Sequence, residues 1–464
     1  MRLHSSQFRI DSVSASCLTF AVIFFIAPVF AQTGNVPPPP ALAAAQQAPM
    51  TLTLKDALAL AEKNDPSVLS AASDTLTAAE DRKQARAAMY PSLAGRSEYL
   101  GTQGNGKLAE SRFVTNDGVH VYRDWAVVHQ DLSPGTLIGT AVKRAQVAGA
   151  LARAKLEIAR RGLAATVTKS YYAFIVAQRK YATAQQALDQ AERASTISEQ
   201  LEQGREVAHS DVVKARLQGI AQQQALKEAK LSVESSRMDL AVLLFRDFDE
   251  NFSVVDDLDV APPLPGMGEV ETMATHENPA LGAAIQALRS ANLDIKLARQ
   301  AYLPTLTVDA VYGIEANAFA LNSTVAANKE AGSLPNPGYF LTASLNIPVW
   351  DWGIRRSKVR QAELKRAEAE VDLSAAQRTL VRNLRGYYDE AQAARQEVDL
   401  LRSAVDLSSE NLRLNTLRYQ AGEATILELV DAQTGSTQAR NAYDDGLIRY
   451  RVAIGNLQTL TGAF

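Results

Sequence analysis

Cysteine is almost missing from this 464-residue chain: Cys17 is the only one. It precedes an apolar run, Leu18 to Phe30, that follows Arg2 and Arg9 and ends in Val29-Phe30-Ala31. This is the layout of a secretory signal, with a mature start near Gln32. Cleavage removes Cys17 and leaves no disulfide or thiol chemistry, and a cysteine ahead of the apolar run is badly placed for lipid attachment. Losing Arg2, Arg9 and Asp11 takes the formal charge from -3 to -4. Basic clusters are also missing, and 21% charged residues in near balance exclude a nucleic-acid surface. Aromatics make up only 6%. The four mature histidines (His120, His129, His209 and His276) form no His-Glu-X-X-His or related spacing, and the six methionines are scattered. No catalytic site, metal site or cofactor is expected. Beyond the signal no stretch reads as a spanning helix, so the exported chain is periplasmic, secreted or a barrel of the outer membrane.

What is present is an internal repeat, the first thing to look for in a long chain. Asn64-Asp65-Pro66 and Glu277-Asn278-Pro279 match at an offset of 213, as do Ala71 with Ala284, Ala85 with Ala298, Arg86 with Arg299 and Pro91 with Pro304. Tyr171-Tyr172 matches Tyr387-Tyr388 at 216, while Gly135 with Gly353 and Gly204 with Gly422 match at 218. Residues 1-31 are the signal and 32-50 a disordered Pro/Ala-rich leader. Residues 51-262 form the first repeat and 263-464 the second, together one structural domain.

Each repeat follows one plan. Asp65-Pro66 and Asn278-Pro279 are helix N-caps with proline in the first turn. Strands of about ten residues follow, a length that spans a membrane. Leu306, Val308, Ala310, Tyr312 and Ile314 alternate with a mostly polar set containing Asp309, and Tyr339 to Ile347 alternate likewise. Asp309 is expected to point into a barrel. The first half has ragged counterparts, Ser92 to Gln103 and Val119 to Leu132. The loops Thr102 to Gly118 and Glu315 to Pro337 are expected to face outside the cell.

Gly135 to Gln203 and Gly353 to Gln420 contain no proline, and each predicts a helix on the order of 100 Å long. Heptad rows (Val167, Phe174, Tyr181, Leu188; and Leu384, Ala391, Val398, Val405, Leu412) predict coiled-coil seams. The helices break at Gly204 and Gly422, where the reversal requires positive φ, and return as hairpins. Four strands cannot close a barrel alone; two copies make eight, which side chains fill, and three make twelve, enough for a lumen.

These features resemble the TolC family of outer-membrane efflux proteins over nearly all of the mature chain. The resemblance is carried by the doubled helix start, by Tyr90-Pro91-Ser92-Leu93 and Leu303-Pro304-Thr305-Leu306, by Ile347-Pro348-Val349-Trp350-Asp351-Trp352-Gly353, by Tyr419-Gln420-Ala421-Gly422-Glu423, and by Glu428-Leu429-Val430-Asp431-Ala432. It implies a mainly α fold with a β-barrel portion, and a homotrimer with a 12-stranded barrel and a 12-helix periplasmic tunnel. Short helices are expected to stack end to end beside each long one. It further implies export of drugs, metal ions or polypeptides through the outer membrane, with a periplasmic membrane-fusion adaptor and an inner-membrane transporter of RND, ABC or MFS type as partners.

By the same resemblance, the adaptor docks on tips at Gly204, Arg205, Gly422 and Glu423. Glu428, Asp431 and Asp211 match acidic constriction positions, and Tyr419 matches a gate-tethering tyrosine. The arginine partner of that tyrosine is absent, because Ala424 stands in its place. Trp350 and Trp352 sit where strand meets helix, which suits a membrane interface against outer-membrane lipid. The cargo is not specified by these residues. A periplasmic coiled-coil scaffold without a pore is the alternative; the alternating strands argue against it.

Overall fold

The computed structural model describes residues 50-101, 120-246, 251-260, 262-316, 324-326, 333-335 and 337-462. The expected signal and nearly all of the expected leader therefore lie outside the described residues, as does the loop expected at 102-118. All the described residues belong to one compact unit, Pro49–Phe464.

The first repeat runs β1 (Met50–Leu52), α1 (Leu54–Asn64), α2 (Pro66–Ala87), β2 (Ser92–Gly101), β3 (His120–Asp131), a single turn α3 (Pro134–Leu137), α4 (Thr140–Gln203) and α5 (His209–Leu244). A connecting segment carries β4 (Phe252–Val254). The second repeat continues as α6 (Met267–Glu277), α7 (Pro279–Gln300), β5 (Thr305–Ala316), β6 (Thr324–Ala326), β7 (Ser333–Pro335), β8 (Gly338–Asn346), α8 (Ile354–Gln420) and α9 (Ile426–Thr461).

The repeat is visible in helix lengths. α2 and α7 both have 22 residues, and α5 and α9 both have 36. Local chemistry sets their starts. Asp65 accepts hydrogen bonds from the Ser67 and Val68 amides, and Asn278 accepts one from Leu281, each with proline at the first helical position. The long helices α4 and α8, 64 and 67 residues, each begin after a left-handed glycine. Those glycines are Gly139 (φ 65°) and Gly353 (φ 86°). Gly139, not Gly135, is thus the partner of Gly353, at an offset of 214. Gly135 instead sits in α3, with the Gln300 side chain close to where its Cβ would be.

α2 and α5 both pack on α4, and α7 and α9 both pack on α8 and α4. Asn64 at the end of α1 donates 2.6 Å to the carbonyl of Leu244, the last residue of α5. The short helices therefore stack end to end beside the long ones, as expected. Laterally the order is α2 or α5, then α4, then α7 or α9, then α8, which leaves α2, α5 and α8 as edges.

The strands form an antiparallel sheet in the order β2-β3-β5-β8. Its register puts Ser92, His129, Asp309 and Thr342 in one row. One face carries Arg96, Glu98, Arg123, Trp125, His129, Asp309, Glu315, Thr342 and Ser344. The other carries Leu93, Tyr122, Val128, Leu306, Val308, Tyr312, Tyr339, Leu341 and Leu345. The polar face is cross-linked: Arg123 donates to Glu98 (3.1 Å) and Glu315 (2.9 Å), and His129 pairs with Asp309 at 2.7 Å. Asp124 falls on the apolar face, where its carboxylate accepts from Ser97 at 2.7 Å. β6 and β7 pair with each other inside the loop expected at 315-337. No described helix is long and apolar enough to cross a membrane.

A second, small sheet pairs β1 with β4 in parallel. It lies over the largest core, built on Val167, Tyr171, Tyr172, Phe174, Leu240 and Leu244. Tyr171 donates to the carbonyls of Leu52 (3.2 Å) and Val255 (2.7 Å), and burial pushes its phenol up to about 12.

Candidate functional site

The two hairpin turns are built alike. After α4 the Glu206 amide bonds to Leu201 O and the Arg205 amide to Glu202 O; after α8 the Glu423 amide bonds to Arg418 O and the Gly422 amide to Tyr419 O. Both are Schellman caps, which require a left-handed residue just past the helix. Gly422 supplies it in the second turn (φ 72°), but Arg205 supplies it in the first (φ 62°). Gly204, expected to hold the positive φ, is instead an ordinary αR cap at φ -72°. The structural partners are thus Gly204 with Ala421 and Arg205 with Gly422, at an offset of 217. The turns lie side by side, because the Glu206 carboxylate reaches about 4.0 Å from where a Cβ on Gly422 would stand.

The returning helices carry an acid in the first turn, Asp211 in α5 and Glu428 in α9. Both occupy the third helical position, so Glu428 is the counterpart of Asp211, and Lys214 is the counterpart of Asp431. A carboxylate there is favoured by the helix dipole. Glu428 accepts from the hydroxyl of its own N-cap Thr425 at 3.2 Å and from Arg418 at 3.3 Å. Asp211 lies 3.6 Å from Lys214. Asp431 is exposed and has no partner among the described residues. The three acids therefore differ: two are braced within the tip and one is free.

Tyr419 is only 1% exposed. It packs with Ala194, Ala215, Ile426 and Leu429 in a separate core at the tip, with Ala424 alongside. Its hydroxyl lies 2.6 Å from Ser198 Oγ, and Ser198 donates to Ala194 O at 2.8 Å, so Tyr419 is the donor. The tyrosine does have a partner, on α4 of the neighbouring hairpin. Ser198 was not legible beforehand, since a serine inside an Ala-rich helix carries no periodic signal.

Higher up, Arg179 of α4 holds Asp256 (2.7 Å to each carboxylate oxygen) and Asp259 (2.7 Å) on the connecting segment, and reaches Asp444 of α9 at 3.3 Å. Burial lowers a guanidinium's pKa, but these bonds outweigh it and raise that of Arg179. Burial raises the pKa of Asp444. Asp256 feels burial too, but its bonds to Arg179 and the Leu258 amide hold it below the usual carboxylate range. Arg451 donates to the carbonyls of Asp257 and Val260 and lies over the Tyr172 ring at 4.9 Å. The segment between repeats is thus strapped to α4 and α9. Among the described residues no group of three His, Cys, Asp or Glu is placed to hold a metal ion.

Trp350 and Trp352 follow β8 and stand 73% and 86% exposed, with rings edge-on at 5.6 Å. Trp352 holds φ 54°.

Comparison with known proteins agrees with this geometry. Residues 272–463 match the family described as Outer membrane efflux protein. Outer membrane protein TolC of Vibrio cholerae is 25% identical over 86% of this chain and 89% of its own. Outer membrane protein OprJ of Pseudomonas aeruginosa is 24% identical over 64% of this chain, a match spanning 61% of OprJ. Among solved structures, the outer membrane protein VceC of Vibrio cholerae superposes with a TM-score of 0.74 at 18% identity, covering 88% of this chain and 96% of that one. The second repeat is thus similar to the outer membrane efflux protein family, and the chain shares its overall fold with VceC.

Proposed function

We propose that this chain is the outer-membrane channel of a tripartite export system, and that three copies build its wall. The observation that carries the trimer is the two-sided patterning of α8. Ala362, Ala369, Leu384 and Ala391 are buried on its inner side. Leu364, Val371, Leu400, Leu407 and Leu414 form a second row that the protomer leaves exposed. Leu364 and Val371 follow Ala362 and Ala369 by two residues, which places the rows roughly 200° apart around a helix. The opposite edge offers matching rows, Leu69 and Leu76 on α2, and Leu217, Leu231 and Met238 on α5, all exposed. A neighbouring copy that sets its α2 and α5 against α8 buries both rows and also joins the free edges of β8 and β2.

Repeated three times, this closes twelve strands with the charged face inward and the apolar face toward lipid. The helices continue the tube into the periplasm. An adaptor docks on the paired turns at Gly204-Arg205 and Gly422-Glu423 and links the channel to an inner-membrane pump. Asp431, with Asp211 and Glu428, lines the constriction, and Tyr419 holds the two hairpins of each copy together there. Like charges brought close by threefold symmetry favour cations in a narrow pore. Drug, metal ion or polypeptide cargo is chosen by the pump, and a deletion strain challenged with metals and antibiotics assigns it.

The test is purification followed by planar-bilayer recording. A conducting trimer whose cation preference falls in Asp431→Asn supports the reading. A trimer that never conducts overturns it in favour of a scaffold without a pore.

A further inference from the structure

The charged face of the four-stranded sheet is not charged throughout. Its register sets a row with the His129–Asp309 pair toward one end and a row of Glu98, Arg123 and Glu315 toward the other. Two rows lie between. The first is Ala94, Val127, Val311 and Phe340, with no polar side chain; the second is Arg96, Trp125, Gly313 and Gly338, with one charge. The inward face of a membrane barrel is ordinarily polar, so an apolar band here needs a cause.

The paired glycines open a recess in this band. A Cβ on Gly313 would stand 2.0 Å from the Asp124 carbonyl oxygen, so the close approach of β3 excludes a side chain there. A Cβ on Gly338 would meet nothing within 4 Å. The recess measures about 190 Å³ and is lined by Trp125, Phe340 and the buried Val311, with Glu315 beside them. For scale, an apolar cavity of roughly 150 Å³ holds a benzene. The two rings stand edge-on, 5.9 Å apart at 84°. A third ring set into that corner stacks on one and meets the edge of the other.

The surrounding charges indicate the sign of the ligand. Glu98 gives one oxygen to Arg123 and the other to Arg96, each at 3.1 Å. Arg123 also holds one oxygen of Glu315 at 2.9 Å, and the second Glu315 oxygen has no partner among the described residues. Both guanidiniums lie over the indole of Trp125, at 6.0 and 5.4 Å from its centre, which fixes that ring and occupies the cations. The polar atom left over at the recess is therefore a carboxylate oxygen, on a side chain that is 48% exposed. Phe340, also 48% exposed, offers an aromatic face beside it, and such faces attract cations too.

We propose that Trp125, Phe340 and Glu315, set around the Gly313–Gly338 pair, form a binding site in the barrel lumen for a planar aromatic ring carrying a cationic group. The inference rests on the channel reading. In that reading β8 is an edge strand, so β2 of the neighbouring copy closes the recess along the wall, and one such site per copy rings the lumen. Cargo of this chemistry pauses there on its way out.

Planar-bilayer recording of the trimer tests the site. The probes are benzyltrimethylammonium and its saturated counterpart, (cyclohexylmethyl)trimethylammonium, added on the side of the strand-connecting loops. They share charge and approximate size, so carboxylates elsewhere in the pore do not distinguish them. Blockades by the aromatic ion should last about threefold longer or more. Gly338→Val fills the recess and keeps both rings, while Phe340→Leu keeps the bulk and removes one ring; in each, the ratio of dwell times should fall to about one. Glu315→Gln should shorten the dwell of both ions about threefold and keep their ratio. Equal dwell times in a conducting wild-type trimer overturn the site and leave the channel standing. A ratio that survives both Gly338→Val and Phe340→Leu overturns the assignment to this recess, and dwell times untouched by Glu315→Gln overturn the charge preference. A protein that never conducts removes the channel reading and the site with it.

Discussion

The same dipeptide has two fates in the two repeats. Tyr171-Tyr172 is sealed in the largest core, whereas Tyr387-Tyr388 is only half buried. The difference comes from neighbours. α4 is an inner helix, flanked on both sides within one copy, but α8 is an edge. Repeated sequence thus yields repeated secondary structure, while burial is decided by where each unit falls in the row. The inner helix α4 finishes its packing inside the protomer, whereas the edge helices α2, α5 and α8 keep exposed apolar rows.

The largest expected effects test that contrast. Tyr171→Ala removes a sealed aromatic and should destabilise by about 3–5 kcal/mol. Tyr387→Ala should change unfolding of the protomer little and instead lower the temperature at which trimers separate. Thermal unfolding and semi-native electrophoresis check the pair, and equal effects on both readouts would erase the distinction between inner and edge helices.

The strap at Arg179 comes next. Arg179→Met leaves Asp444 buried without its cation and should cost about 3 kcal/mol at neutral pH. The pH dependence has a definite sign. Asp256 is held below the ordinary carboxylate range, so its contribution is complete above that range and lost as pH falls through its depressed value. Asp444 is shifted upward, so its buried charge is a liability at neutral pH that protonation relieves. Calorimetry across acidic pH should show stability held or rising slightly as Asp444 protonates, then falling in stronger acid. Asp256→Asn should flatten that last fall.

At the tip, Ser198→Ala leaves the Tyr419 hydroxyl buried without an acceptor and should cost about 1–3 kcal/mol. Tyr419→Phe should cost less, since Ser198 keeps its bond to Ala194. Both should raise the open probability in single-channel records, with Ser198→Ala the stronger. A reversed order would mean that ring packing, not the hydrogen bond, joins the hairpins.

The smallest effect compares the two turns. Arg205→Gly should stabilise by about 1 kcal/mol, and Gly422→Arg should destabilise by a similar amount. Equal melting temperatures would show that the turns are equally tolerant.

Much of the framework was legible because it rests on local rules. Proline and its cap marked the starts of α2 and α7, period two marked β5 and β8, and proline-free heptads marked α4 and α8. Where the sequence misled, identity of residue stood in for equivalence of place. Gly135 matched Gly353 and Gly204 matched Gly422 as letters, yet Gly139 and Arg205 occupy those backbone positions. A left-handed site tolerates arginine at modest cost, so glycine is a guide rather than a requirement there. The outer row of α8 passed unnoticed because one seam had already accounted for its period. Ser198 and the Arg179 strap depend on contacts between residues more than 70 positions apart, which no local pattern encodes.

The two-sided α8 also sets how the molecule comes into being. In the proposed trimer, a helix whose outer leucines are covered only by another copy completes its packing through association, so the stability of each chain depends on how many others are near it. At low abundance, mass action favours separate chains with both edges bare, open to proteolysis and to unproductive pairing. As abundance rises, the assembled form grows far faster than in simple proportion, because three partners must meet. The amount of finished channel should therefore respond to synthesis as a threshold rather than a ramp.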